Sequence, residues 1–253
     1  MAKTITAIIP ITKQTDARQV ALGAYDALIG LLESLDPADW DRSTECPGWT
    51  VADMVGHVVG AAKAGASRRE LARQVVWGMR HSSEYGGNRL DAFNALQVEE
   101  HRGLSPAERV AALREFAPRA VDGRMRTPGL FRALSMGIDQ AGSTAGFPNS
   151  ASIAQLVDVI YTRDTWLHRV DIARATSRTL DLGPTDARIV EDVVAEWIGR
   201  HGEAVDLTLT GPAGGEFTHG DGGPEFTLDA VEFCRILSGR EAGSGPLAQK
   251  VLF

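Results

Sequence analysis

Residues 152–176 read SIAQLVDVIYTRDTWLHRVDIARAT, and the spacing within this stretch sets the character of the chain. Ile153, Leu156, Val157, Ile160, Tyr161, Leu167, Val170 and Ile172 recur at three- and four-residue intervals, the period of one helix face, so a helix is predicted from about Ser152 to Thr176. Asp164 and His168 lie four apart on it, one turn from each other on a shared face. A carboxylate oxygen and an imidazole nitrogen so placed can share a divalent ion. The same pair also occurs as an ordinary contact on a solvated helix, so it becomes a site only with a third ligand from another element.

Towards the N-terminus the helical period repeats. Val20, Leu22, Tyr25, Leu28, Ile29, Leu31 and Leu32 predict a helix from Asp16 to about Leu35. It stops at Asp36-Pro37, because the residue before proline is pushed out of the helical region. A turn-rich stretch, residues 41–48, leads to Trp49. There Thr50 as N-cap and Asp53 three residues on predict a capped second helix with Val51, Met54, Val55, Val58 and Val59 inward, extending towards Trp77. Gly60, Gly65 and the alanines around them predict close contact with another helix. Further helices are predicted from Asp91 to His101 and from Pro106, a proline suited to a first helical position, to about Val121. Ser82 to Asn88 and Ala141 to Pro148 read as loops that could serve as lids.

Towards the C-terminus one more helix is predicted from Thr185 to His201, and then the period changes. Val205, Leu207 and Leu209 alternate with Asp206, Thr208 and Thr210, the pattern of a half-buried strand. Glu216 to His219 and Glu225 to Leu228 are further strands, and Asp229 to Ser238 is a short helix closed by Gly239. The expected architecture is mainly α: a helical bundle over residues 1–182, then a small α+β unit over residues 183–253.

Composition excludes several classes. With 43% hydrophobic and 23% charged residues, the 253-residue chain is an ordinary folding sequence. A net charge of -7 argues against nucleic-acid binding, and the cluster Arg68, Arg69, Arg73 and Arg80 reads as a solvated helix face. Two distant cysteines, Cys46 and Cys234, make neither a disulfide framework nor a thiolate metal site. No apolar run reaches membrane-spanning length and the N-terminal run is too short for a secretory signal, so a cytoplasmic protein is expected.

A third ligand for Asp164 and His168 is best supplied by His57, which lies on a different predicted helix among apolar residues. Facing helices of a bundle commonly build metal sites this way, and three protein ligands leave a fourth position for water or substrate. The alternative for His57 is a core histidine bonded to a backbone carbonyl. His81, His101, His201 and His219 read as structural or exposed.

Beyond these residues, the segment from Trp40 through Arg42, Thr44, Cys46-Pro47-Gly48-Trp49-Thr50-Val51 and Asp53 to His57 resembles the mycothiol-dependent maleylpyruvate isomerase family. So does Arg163-Asp164-Thr165-Trp166-Leu167-His168-Arg169-Val170-Asp171-Ile172-Ala173, and so does the ending from Asp229 to Arg240 with Val251-Leu252-Phe253. The resemblance implies a DinB-like four-helix bundle followed by a small domain similar to sterol-carrier proteins. It also implies a zinc ion, or another divalent metal, on His57, Asp164 and His168, with mycothiol as cofactor. The best-described isomerase of the family carries glutamate where this chain has Asp164.

On that reading the metal holds the mycothiol sulfur as thiolate, which adds to an electrophilic carbon of a small substrate; an isomerase eliminates it again and a transferase keeps it. Trp49 and Trp166 are packing residues, Asp171 orients a ligand by hydrogen bonding, and Cys46 is structural. An arginine clamp would suit an anionic substrate, with Arg80 and Arg89 as candidates. Two other readings stay open: a non-catalytic small-molecule-binding or regulatory protein on the same fold, and a metal-dependent hydrolase that activates water.

Overall fold

The computed structural model describes residues 2–137 and 146–253. The chain opens with a two-residue strand, β1 (Lys3–Thr4), and enters α1 (Ala17–Glu33), which ends before Asp36-Pro37 as its sequence requires. The helix α2 (Val51–Ala66) starts on a complete capping box: Asp53 N–H donates to Thr50 Oγ1 at 3.1 Å, and Thr50 N–H donates to Asp53 Oδ2 at 3.0 Å. The second helix does not run on to Trp77. Ser67 adopts extended backbone and caps a separate helix, α3 (Arg68–His81), by accepting from Glu70 N–H. Serine competes with helix continuation by this kind of local bond, and that ends α2.

After a short 3-10 turn at Ser82–Tyr85 come α4 (Arg89–His101) and α5 (Pro106–Met125), the latter capped by Ser105 with Pro106 in its first turn. The glycines of α2 do bring helices together. A Cβ on Gly60 would stand 2.6 Å from the Gln97 Cβ of α4, and one on Gly123 of α5 would stand 2.1 Å from the Gly65 carbonyl oxygen. A helical turn, α6 (Gly129–Arg132), precedes the small antiparallel pair β2 (Ser135–Gly137) and β3 (Ser150–Ser152). Most of the lid predicted at Ala141 to Pro148 lies outside the described residues.

The stretch predicted as one helix from Ser152 is divided. A single turn, α7 (Ile153–Gln155), passes through a π-helical segment at Leu156–Ile160 into α8 (Tyr161–Thr176). Such wider turns are frequent at functional sites, and this one lies one turn ahead of Asp164. The helix α8 packs against α1 and α2 on one side and against the C-terminal elements on the other, so nearly all its residues are buried, polar ones included.

The C-terminal elements are α9 (Pro184–His201), β4 (Val205–Thr210), β5 (Gly215–His219), β6 (Glu225–Asp229) and α10 (Ala230–Leu237). The predicted alternation of β4 holds, with Val205, Leu207 and Leu209 buried. The strand order is β1-β5-β4-β6: β4 pairs antiparallel with β5 and parallel with β6, while β1 joins the outer edge of β5. The strand β1 is not among the predicted elements; the apolar N-terminal run enters the same core as the sheet, through Ile8 and Ile11. That core continues through Val193, Trp197 and Phe233 to Trp166, Leu167 and Val170 of α8. A second core lies inside the bundle, around Leu28, Met54, Val58 and Leu113. Among the described residues no helix is long and apolar enough to cross a membrane.

Candidate metal centre

Two elements bring the three predicted ligands together. The Thr50 capping box sets the start of α2, which places buried His57 in its second turn. Across from it, α8 presents Asp164 and His168 on one face. His168 Nε2 lies 3.3 Å from Asp164 Oδ1, and His57 Nε2 lies 3.6 Å from Asp164 Oδ2. One ligand atom from each of His57, Asp164 and His168 falls within 4.8 Å of the others. A tetrahedral site with bonds of about 2.0–2.1 Å has edges of about 3.3–3.4 Å; the His168 contact matches such an edge, while His57 meets the other oxygen of Asp164. Two imidazoles and a carboxylate are also a donor set that zinc accepts.

The support around the ligands is uneven. His168 Nδ1–H donates to Asp171 Oδ2 at 3.3 Å. Asp171 is itself fully buried and receives Arg240 Nη2 at 2.9 Å and Nε at 3.3 Å. A carboxylate behind a ligating histidine sets its tautomer and raises its basicity. His57 Nδ1, by contrast, is buried without a hydrogen-bond partner. What holds that ring is packing: Trp49 lies against it at a centroid distance of 5.2 Å, and the His168 ring meets it edge-on at 5.2 Å. Trp49 is thus a packing residue, as is Trp166, whose indole N–H donates to Asp186 at 2.7 Å in a fully buried position.

Burial alone would raise the Asp164 carboxyl, but His168 and His57 outweigh it and hold it well below the usual carboxylate range. Burial likewise works to lower the His168 imidazole, and Asp164 and Asp171 override it, lifting the ring to about 9. An incoming metal must therefore displace a proton from His168. Cys46 belongs to a second group of close donor atoms, with His168 and Asp171. Its thiol is nevertheless pushed up to about 11 by burial, against the lowering effect of Arg240, whose Nη2 lies 3.5 Å from Sγ. It is a protonated neighbour at neutral pH rather than an activated nucleophile.

A cavity of about 300 Å³ adjoins the cluster, lined by Asp164, Leu167, Gly239, Arg240, Leu252, Phe253 and Phe147 among others. It joins the bundle to the C-terminal unit, and Asp164 is the member of the trio exposed in it. Arg80 and Arg89 are not among its lining residues: Arg80 lines a separate groove on the outer side of α3, and Arg89 opens α4. The arginine at the cavity is Arg240, two residues past the end of α10's cap. Its position just beyond the predicted C′ glycine, Gly239, was visible in the sequence, but only the docking of α10 on α8 shows what it faces.

These features define a class: a DinB-like helical bundle with a three-residue His/Asp cluster of metal-binding type, extended by a small α+β unit. The family model for the mycothiol maleylpyruvate isomerase N-terminal domain matches residues 22–173, and the chain belongs to that family. Among solved structures the chain is similar to the crystal structure of the mycothiol-dependent maleylpyruvate isomerase, at 16% identity and a TM-score of 0.55, covering 96% of this chain and 94% of that one. A histidine-to-alanine mutant of that isomerase matches similarly, with 16% identity, a TM-score of 0.54, and 95% and 93% of the two chains covered. At that identity the likeness establishes the fold. A search of curated protein sequences finds no match.

Proposed function

We propose that this chain is a cytoplasmic, zinc-dependent and mycothiol-dependent enzyme, an isomerase or thiol S-transferase, that acts on a small electrophilic substrate bearing an anionic group. The observation that supports it most is the convergence of His57, Asp164 and His168 from two helices beside the cavity. Asp164, although shorter than glutamate, reaches both imidazoles. When bound there, zinc supplies the charge that keeps a thiol deprotonated at neutral pH. The residues of the chain do the rest. Asp171 holds the His168 ring with its Nε2 towards Asp164. Arg240 spends Nε and Nη2 on Asp171 and leaves Nη1 for an anionic group of the substrate. Leu167, Leu252 and Phe253 add an apolar patch to a cavity wall that also carries Asp164, Ser238 and Arg240.

Elemental analysis of protein purified without chelator, beside His57→Ala and His168→Ala, tests the site. Stoichiometric zinc in the wild type, lost in both variants, supports it; full metal retention by His57→Ala would sink the assignment. Turnover that needs an added thiol separates this reading from a metal-dependent hydrolase. Absence of zinc from the wild type even after zinc is supplied would favour a binding protein on the same fold.

A further inference from the structure

The helix α3 is built the wrong way round for a helix that only serves its own core. Its inward residues are Gln74 and Gly78, both buried. Gln74 Nε2 donates to the Gly60 carbonyl at 3.2 Å and to Glu70 Oε1 at 2.8 Å, while its oxygen accepts from Gln97 Nε2 at 2.7 Å. No α3 residue belongs to the apolar cores among the described residues. Its large apolar side chains point outward instead: Leu71, Val75, Val76 and Met79 are 38% to 57% exposed. At spacings of four, Leu71, Val75 and Met79 form a ridge along the helix. Beside the ridge runs a groove of about 400 Å³ lined by Ala72, Val76 and Trp77 and by Arg69, Arg73 and Arg80. Arg73 is neutralised by Glu70 and Glu100. Arg68, Arg69 and Arg80 have no carboxylate partner among the described residues.

We propose that this face of α3 is a peripheral docking surface for an anionic lipid bilayer. A contiguous apolar ridge flanked by arginines without carboxylate partners among the described residues is the make-up of a helix that lies in the membrane interface, apolar face down and guanidinium groups at headgroup level. The arginine-lined groove beside the ridge is of a size to seat a lipid phosphate. Trp77, stacked on His81 with centroids 4.0 Å apart, sits on the flank where amphipathic rings favour the interface. Charge decides against a second copy of this chain as the occupant. An antiparallel two-fold pairing of α3 with itself would set the Arg69 flank of one copy against the Arg80 flank of the other.

The test is flotation of the full chain with phosphatidylglycerol vesicles and with phosphatidylcholine vesicles at low and high salt. Binding is expected to the anionic vesicles alone and to weaken with salt. Arg69→Glu with Arg80→Glu should weaken partitioning at least about thirtyfold. Val76→Glu with Met79→Glu should abolish it at low salt too, with far-UV circular dichroism unchanged because both residues are exposed. Failure to float with anionic vesicles overturns the proposal, as does binding that survives both double variants. A lipid-free dimer that Met79→Glu converts to monomer would assign the face to a second copy instead.

Discussion

The two sides of α8 are both buried and both polar, yet they do different things. The side facing α9 carries Arg163, Trp166 and Arg169, three apart in turn. Arg163 meets Asp192 and Glu196, each at 2.7 Å, and Arg169 and Trp166 share Asp186 at 2.9 and 2.7 Å. Every charge there has its opposite within the chain. The side facing α2 and α10 carries Asp164, His168 and Asp171, which are also paired, through His168 and Arg240, but here the pairing opens onto a space. Asp164 is 28% exposed and borders a cavity, whereas Arg163 and Arg169 are 2% and 3% exposed. Burial of polar groups is therefore no sign of function in itself, because charge that the chain neutralises is architecture. The functional mark is polar atoms that converge on a space.

That contrast can be broken by experiments on either side. The largest effect is expected from His168→Ala, with zinc lost and activity reduced beyond about a thousandfold, since the proposed metal-bound chemistry would have no substitute. Zinc retention with normal turnover would place the site elsewhere. On the other side, Arg163→Ala leaves Asp192 and Glu196 facing an apolar junction and should cost about 3–5 kcal/mol in a urea titration. Its folded fraction should still bind stoichiometric zinc; loss of zinc with little loss of stability would mean the two sides are not separable.

The metal-free protein should show the open side through its pH dependence. His168 is raised to about 9 in the fold from about 6.5 unfolded. Its stabilising contribution is therefore complete below about pH 6.5 and is lost as pH rises through about 9, on the order of 3 kcal/mol at most. Melting of chelated protein across that interval should show the decline, and His168→Gln should flatten it; a flat wild-type curve would refute the pairing. Zinc affinity should run the opposite way, rising with pH as the ring loses its proton.

Smaller effects sharpen the picture. Asp171→Asn should lower zinc affinity about 10–100-fold while leaving full occupancy at saturating zinc, measurable by competition with a chromophoric chelator. Cys46→Ser should change turnover by no more than about twofold, because a thiol pushed up to about 11 is protonated at neutral pH. A large loss in that variant would give Cys46 a part in the chemistry.

Much of this was legible from spacing. The i,i+4 pair of Asp164 and His168, the Thr50–Asp53 capping box that places His57, the alternation of Val205, Leu207 and Leu209, and the Gly239 stop after α10 all depend on neighbours a few residues away. The helix and strand periods express such relations directly. Other features depend on distant residues and left no local mark. The arginines named for an anion were Arg80 and Arg89, whereas the one at the cavity is Arg240, which reaches Asp171 across 69 positions. The π-helical turn before Tyr161 was invisible inside a continuous apolar pattern, whereas the break at Ser67 did have a local mark, Ser67 followed three residues on by Glu70, that the helical reading passed over.

Local periodicity was enough to establish a mainly helical chain and the change to strands after His201, and it put Asp164 and His168 on one helix face. Tertiary packing alone decided that β1 closes the edge of the C-terminal sheet, that α8 is surrounded on both sides, and that one of its sides is sealed while the other opens on a cavity. The reason is physical. A side chain's period is set by backbone geometry a few bonds away, whereas its charge balance and its access to a cavity are set by whichever distant elements pack against it.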